Sequence, residues 1–220
     1  MSTLEHDESP GEVLEEHFVD LVQQDHAWRL GMWVFLASEI LLFSALFTLY
    51  SYYRLAYPQD FAEGIRGNNR LLGSLNTVVL ITSSLCAALG VHAVAKRHLR
   101  SAAVGIGLTI LLALGFLVIK GTEYSQHFAE GAYPGGVGRH IAERGVGAAA
   151  FYNMYFLLTG AHAIHVIIGG SVLVALSIRL WRGTLKRPAT AFEVGVLYWH
   201  LVDIIWIFLW PLFYLTGGHA

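Results

Sequence analysis

An all-α membrane protein, built as a bundle of five transmembrane helices, is the fold that three features of this sequence predict. Hydrophobic residues make up 55% of its 220 positions and charged residues only 14%, with a mean hydropathy of +0.53. Soluble domains carry about 25% charged residues. The apolar residues are gathered into runs near the ~20 residues a helix needs to cross a bilayer. Those runs are continuous rather than alternating, which selects helices over the strands of a barrel.

Gaps between charged residues set the elements in order. The first span covers residues 30–53, with Glu39 as its single charge. The second, residues 71–95, and the third, 101–119, are charge-free between Arg70 and Lys96 and between Arg100 and Lys120. The fourth, residues 151–176, lies in the uncharged stretch from Arg144 to Arg179. The fifth, residues 194–215, is interrupted by Asp203 alone. Trp28, Tyr52, Tyr53, Trp181 and Tyr214 fall at span ends and suit interfacial belts.

Residues 1–27 hold eight of the 16 acids and read as an acidic tail ahead of a membrane domain over residues 28–220. The N-terminal stretch lacks the basic and apolar regions of a signal peptide, so insertion is expected to rely on the spans themselves. Lys96, Arg97 and Arg100 crowd one short loop, and Arg179, Arg182, Lys186 and Arg187 follow the fourth span. Both loops share a side with the N-terminus, which the positive-inside rule places in the cytoplasm, leaving the C-terminus outside. The lone Cys86 excludes an internal disulfide framework and a cysteine-only metal site, and reads as packing. His92 reads as an interfacial residue, and no nucleic-acid partner is expected at a net charge of −2.

Ionisable residues inside spans carry the functional signal, because a central aspartate costs about 2.5–3.5 kcal/mol to insert. Glu39, His162, His165 and Asp203 all lie near mid-span, with His200 one turn before Asp203. His162 and His165, like His200 and Asp203, are three apart and share helix faces. Such a layer suits three roles: joining helices, handling protons, or holding a metal or haem. The HAIH spacing differs from HExxH, and bis-histidine haem needs facing histidines on two helices, so no metal or cofactor site and no catalytic residue is assigned. A second cluster, Lys120, Glu123 and His127, sits one turn apart per step at the end of the third span. Its simplest reading is a snorkelling lysine on an interfacial helix end. The GAYPGGVG that follows reads as a turn-rich loop, without the GK[ST] of a phosphate loop.

Four blocks of the sequence resemble subunit III of the haem–copper oxidases: GMWVFLASEILLFSALF (Gly31–Phe47), KGTEYSQHF (Lys120–Phe128), TGAHAIHVIIGG (Thr159–Gly170) and YWHLVDIIWIFLWPLFY (Tyr198–Tyr214). They occur in the family's order, and the resemblance covers nearly all of residues 28–216. It implies the five-helix form of a family whose longer members have seven helices, and the same N-in orientation. It also implies a subunit without haem or copper of its own, packed against catalytic subunit I in the bacterial inner membrane. There it sustains proton uptake, protects the complex during turnover and binds structural lipids. Those lipids, in longer members, lie between the first two helices and the rest, and that pair of helices is missing here. Glu39 matches the buried glutamate of the family's SE motif. His162, His165, His200 and Asp203 match positions that hold the bundle together.

On that basis Asp203 is expected to face the bundle, paired with His200 or with the histidines of the fourth span. Removing it should then disrupt assembly more than changing His200. Pro211 is expected to loosen the last turns, with its freed carbonyls satisfied by neighbours. The accessory protein of nitric oxide reductases shares the same blocks and is the alternative partner reading. A stand-alone proton-coupled transporter is disfavoured by the absence of an internal repeat. A small membrane cytochrome is disfavoured by the ligand spacing.

Overall fold

The computed structural model describes residues 20–133, 136–137 and 145–217. Among them are five helices long and apolar enough to cross a membrane, and each predicted span lies within one of them. The first, α1 (Leu21–Ala56), has 36 residues and rises about 54 Å, well beyond a ~30 Å hydrocarbon core. Asp20 caps it, its side chain accepting the Gln23 N–H at 2.6 Å. Its early start, nine residues before the predicted span, is explained by polar anchorage. Arg29 meets Glu193 at 2.8 Å, while Asp25 takes Arg187 at 2.7 Å and the Thr190 hydroxyl at 3.0 Å. The rest of the predicted acidic tail, residues 1–19, lies outside the described residues.

A short helix that the span ruler overlooked, α2 (Pro58–Gly67), follows with Pro58 in its first turn. Phe61 and Ile65, four apart, are fully buried on one face, with Asp60, Glu63 and Arg66 on the same short segment. Next comes α3 (Arg70–Ala95), capped by Asn69, whose side-chain oxygen accepts the Leu71 and Leu72 N–H groups. It turns through a tight loop into α4 (Leu99–Ala129), which passes the predicted end of its span by ten residues. After α4, Ala132–Tyr133 (β1) pairs antiparallel with Gly136–Val137 (β2), so the predicted loop contains a minimal hairpin. The chain returns through α5 (Val146–Trp181) and α6 (Pro188–Trp210).

In the bundle, α3 packs along both α4 and α6, α5 packs against α4 and α6, and α1 lies outside against α5 and α6. The hairpin of α3 and α4 is close because Gly90 faces Gly105. A Cβ added at Gly105 would stand 2.9 Å from the Gly90 Cα, a distance only backbone separation could relieve. On α1, Leu36, Phe43 and Tyr50 recur every seventh residue and are buried, an inward seam on a helix whose apolar residues are otherwise mostly exposed. Water does not drive helices together within lipid, so contact quality matters. The centre is accordingly aromatic: Phe116 stands edge-on to Trp206 at 4.8 Å, an arrangement worth about 0.5–1.5 kcal/mol beyond its area.

Two turns on the same end of the bundle share one geometry. The His98 N–H reaches the Ala93 carbonyl to close α3, and the Thr184 N–H reaches the Arg179 carbonyl to close α5. At the left-handed position α5 uses Gly183 (φ 65°), whereas α3 uses Arg97 (φ 57°), a choice that costs about 1 kcal/mol.

Beyond Pro211, residues Pro211–Leu215 form a π-helical turn, the Thr216 N–H bonding the Pro211 carbonyl. The chain leaves the helix here, and the end carbonyls are satisfied by earlier elements. Tyr50 donates to Leu212, Asn68 to Phe213, Arg54 to Thr216 and Arg66 to Gly217, all at 2.8–3.0 Å.

Candidate functional site

Glu39 lies on the inward seam of α1, three residues after Leu36 and four before Phe43. That position aims it at α5, where its Oε2 meets His165 Nε2 at 2.8 Å, both side chains about 15% exposed. The other ring nitrogen, Nδ1, lies 2.7 Å from the Ala161 carbonyl. A carbonyl only accepts, so Nδ1 carries a hydrogen. Nε2 of a neutral ring then has only a lone pair, and a carboxylate has only acceptors. The Glu39–His165 bond therefore carries one further proton, on one partner or the other.

The predicted polar layer divides around this pair. His162, one turn earlier on α5, is fully buried against the Phe116 ring at 5.5 Å and the Trp206 ring at 5.2 Å. Neither of its ring nitrogens has a hydrogen-bond partner among the described residues. His200 turns to α3 instead, its Nδ1 2.6 Å from the Ser84 hydroxyl. Nearby on α3, Ser83 accepts the Trp199 indole N–H at 3.2 Å and Thr77 accepts that of Trp206 at 3.1 Å. A ladder of small hydroxyls on α3 thus meets His200, Trp199 and Trp206 of α6.

Asp203 faces the bundle and is 4% exposed, as expected, but the expected histidine partner is not there. Its carboxyl oxygens have no hydrogen-bond partner among the described residues, and it shares a shallow apolar cleft with Ser84 and His200. The physical reason is rotation: residue 203 points to α3, away from α5 and its histidines. Replacing Asp203 with leucine should consequently change stability little, by less than about 1 kcal/mol, since no histidine pair is lost. Alanine at His200 should be worse, because it strands Ser84; thermal unfolding in detergent compares the two.

The cluster on α4 departs further from its expected character. The buried stripe of this helix runs through Thr109, Ala113 and Phe116 and continues without a break into Lys120, Glu123 and His127. Lys120 is 3% exposed, so it does not snorkel. Its Nζ donates to Glu123 at 3.0 Å and to the hydroxyls of Tyr155 and Tyr214 at 2.8 Å each. The Tyr214 hydroxyl donates in turn to the second oxygen of Glu123. Rings of Tyr155, Trp206, Tyr214 and Tyr124 lie 4.7–5.5 Å from the ammonium. His127 packs edge-on to Tyr155 at 5.0 Å.

Tyr214 is therefore fully buried rather than interfacial. The π turn brings it inward, and Gly73 on α3 leaves the room: a Cβ there would stand 2.7 Å from the Tyr214 ring. Tyr155 was the other residue missed. Its position seven residues before His162, on the buried side of α5, was the signal available. Among the described residues no three of His, Cys, Asp and Glu converge as ligands.

Fold and site together define a polytopic helical membrane protein whose interior is joined by a proton-bearing pair, a hydroxyl ladder and a buried lysine–glutamate–tyrosine network. The family described as cytochrome c oxidase subunit III matches residues 11–218. The chain belongs to the cytochrome c oxidase subunit III family. A Quinol oxidase subunit 3 of Bacillus spizizenii is 30% identical over 192 residues, covering 86% of each chain. A Cytochrome c oxidase subunit 3 of Arabidopsis thaliana is 32% identical over 213 residues, 93% of this chain and 74% of the relative. A Heme-copper oxidase subunit I+III of Aeropyrum pernix is 29% identical over 195 residues, 86% of this chain but 22% of that longer protein.

Proposed function

We propose that this chain is a non-catalytic subunit of a respiratory haem–copper terminal oxidase in a bacterial inner membrane, with its N-terminus in the cytoplasm. Haem and copper belong to subunit I, against which this bundle packs, and the complex reduces dioxygen to water while moving protons. The relative named subunit I+III supports that pairing, because its printed name joins the two subunits in one protein.

The observation that carries the reading is the Glu39–His165 bond. Its carboxyl–imidazole pair holds a transferable proton at mid-span, between the outermost helix and the bundle, and keeps partial exposure on both side chains. Such a group sustains proton uptake by a neighbouring subunit without any redox centre in this chain. The lysine–tyrosine network and the α3 ladder keep the surrounding bundle rigid.

Gentle extraction through a tag on this chain, followed by a reduced-minus-oxidised spectrum and mass spectrometry, tests the assignment. Haem absorbance with a large haem–copper oxidase subunit I is the expected outcome. A nitric oxide reductase in its place, or a colourless and stable lone chain, overturns it.

A further inference from the structure

We infer that the end of the bundle where α3 turns into α4 and α5 turns into α6 is a binding site for one anionic phospholipid. An apolar groove of about 720 Å³ runs between α4 and α5, walled by Ala103, Ile106, Gly107 and Ile110 on one side and Ile178 and Trp181 on the other. Val94, Leu99 and Leu180 line it and also line a second cavity of about 570 Å³, so the two adjoin. The second cavity is polar where the first is oily. Arg97 and Lys186 stand on its walls, and Arg182 stands where the groove opens. Among the described residues no carboxylate lines either cavity.

Arg187 also borders the site, but Asp25 engages it, so it is not counted among the headgroup ligands. The first turn of α6, Pro188 to Thr190, lies on the same wall without a side-chain cap, and its amide donors add to the positive field. Arg97 supplies an independent indication. The same turn at the end of α5 uses glycine, whereas α3 places an arginine in the left-handed position, at the cavity wall.

A lipid answers both halves of the site at once. Its acyl chain fills the groove along α4 and α5, and its phosphate meets three cations at the level where helices leave the hydrocarbon. Free phosphate would leave the groove unused, and a zwitterionic lipid would leave the cations only partly balanced. This site is built from α3, α4, α5 and α6 alone. It therefore differs from the cleft that longer relatives form with two additional helices.

The full-length chain, in whatever complex it is isolated, would be placed in mixed micelles with equal phosphatidylglycerol and phosphatidylcholine, and retained lipid counted by native mass spectrometry. Retention of phosphatidylglycerol about tenfold over phosphatidylcholine is expected. Combining Arg97→Gly, Arg182→Gln and Lys186→Gln should bring that ratio close to one. Glycine suits the left-handed position, so Arg97→Gly leaves the turn sound. Gly107→Leu supplies a second readout: a Cβ there meets nothing within 4 Å, so the side chain enters the groove and should expel lipid of either kind. Equal retention of both lipids by the wild type overturns the inference. So does phosphatidylglycerol retention unaltered by Gly107→Leu, or its complete displacement by inorganic phosphate.

Discussion

Replacing Lys120 with methionine is expected to destabilise the bundle by about 3–5 kcal/mol, the usual effect of removing one member of a buried ion pair. Glu123 would be left 1% exposed, its carboxylate facing tyrosine hydroxyls but no cation of that network. Tyr155 would lose its bond to the ammonium, and four aromatic rings their cation. Removing both charges, Lys120→Met with Glu123→Met, should restore most of that loss, since an apolar pair of similar volume is often neutral in such a setting. Thermal unfolding in detergent, followed by tryptophan fluorescence, reads the result directly because Trp206 borders the site. A Lys120→Met protein as stable as the wild type would show that the network contributes nothing to the fold.

Glutamine at Glu39 should have the opposite profile, leaving structure intact and removing function. Its amide N–H can donate to His165 Nε2, so the link between α1 and α5 persists and stability should move by less than about 1 kcal/mol. What disappears is the exchangeable proton, because an amide does not release one. In the assembled oxidase, Glu39→Gln should shorten the working lifetime during turnover to that of a complex lacking this subunit. Alanine at position 165, combined with Glu39→Ala in a double-mutant cycle, should reveal a coupling of about 1.5–3 kcal/mol. Normal turnover lifetime in the Glu39→Gln complex would remove Glu39 from proton delivery.

The number of membrane helices was legible because charge gaps report directly on which segments oil will accept. Helix ends were not, since α1 and α4 continue beyond the hydrocarbon on the strength of Asp20, Arg29, Lys120 and Glu123. Ionisable residues at mid-span were legible as a set, but their partners were not. Three-residue spacing puts His162 beside His165, yet a few tens of degrees of helix rotation sends one to α1 and the other to Trp206. The burial of Lys120 had a readable cue in its place on the apolar stripe of α4. The inward turn of Tyr214 had none, because it depends on one extra residue in the π turn after Pro211.

Four donors from earlier elements, Tyr50, Asn68, Arg54 and Arg66, reach the carbonyls of Leu212, Phe213, Thr216 and Gly217. During synthesis the ribosome delivers those donors roughly 150 residues before their acceptors. The segment that carries them is thus already docked on α5 and α6 while these four donors still await residues 212–217. A polypeptide truncated before Pro211 would leave all four donors unanswered, and limited proteolysis should cut it within residues 50–68 where the intact bundle resists.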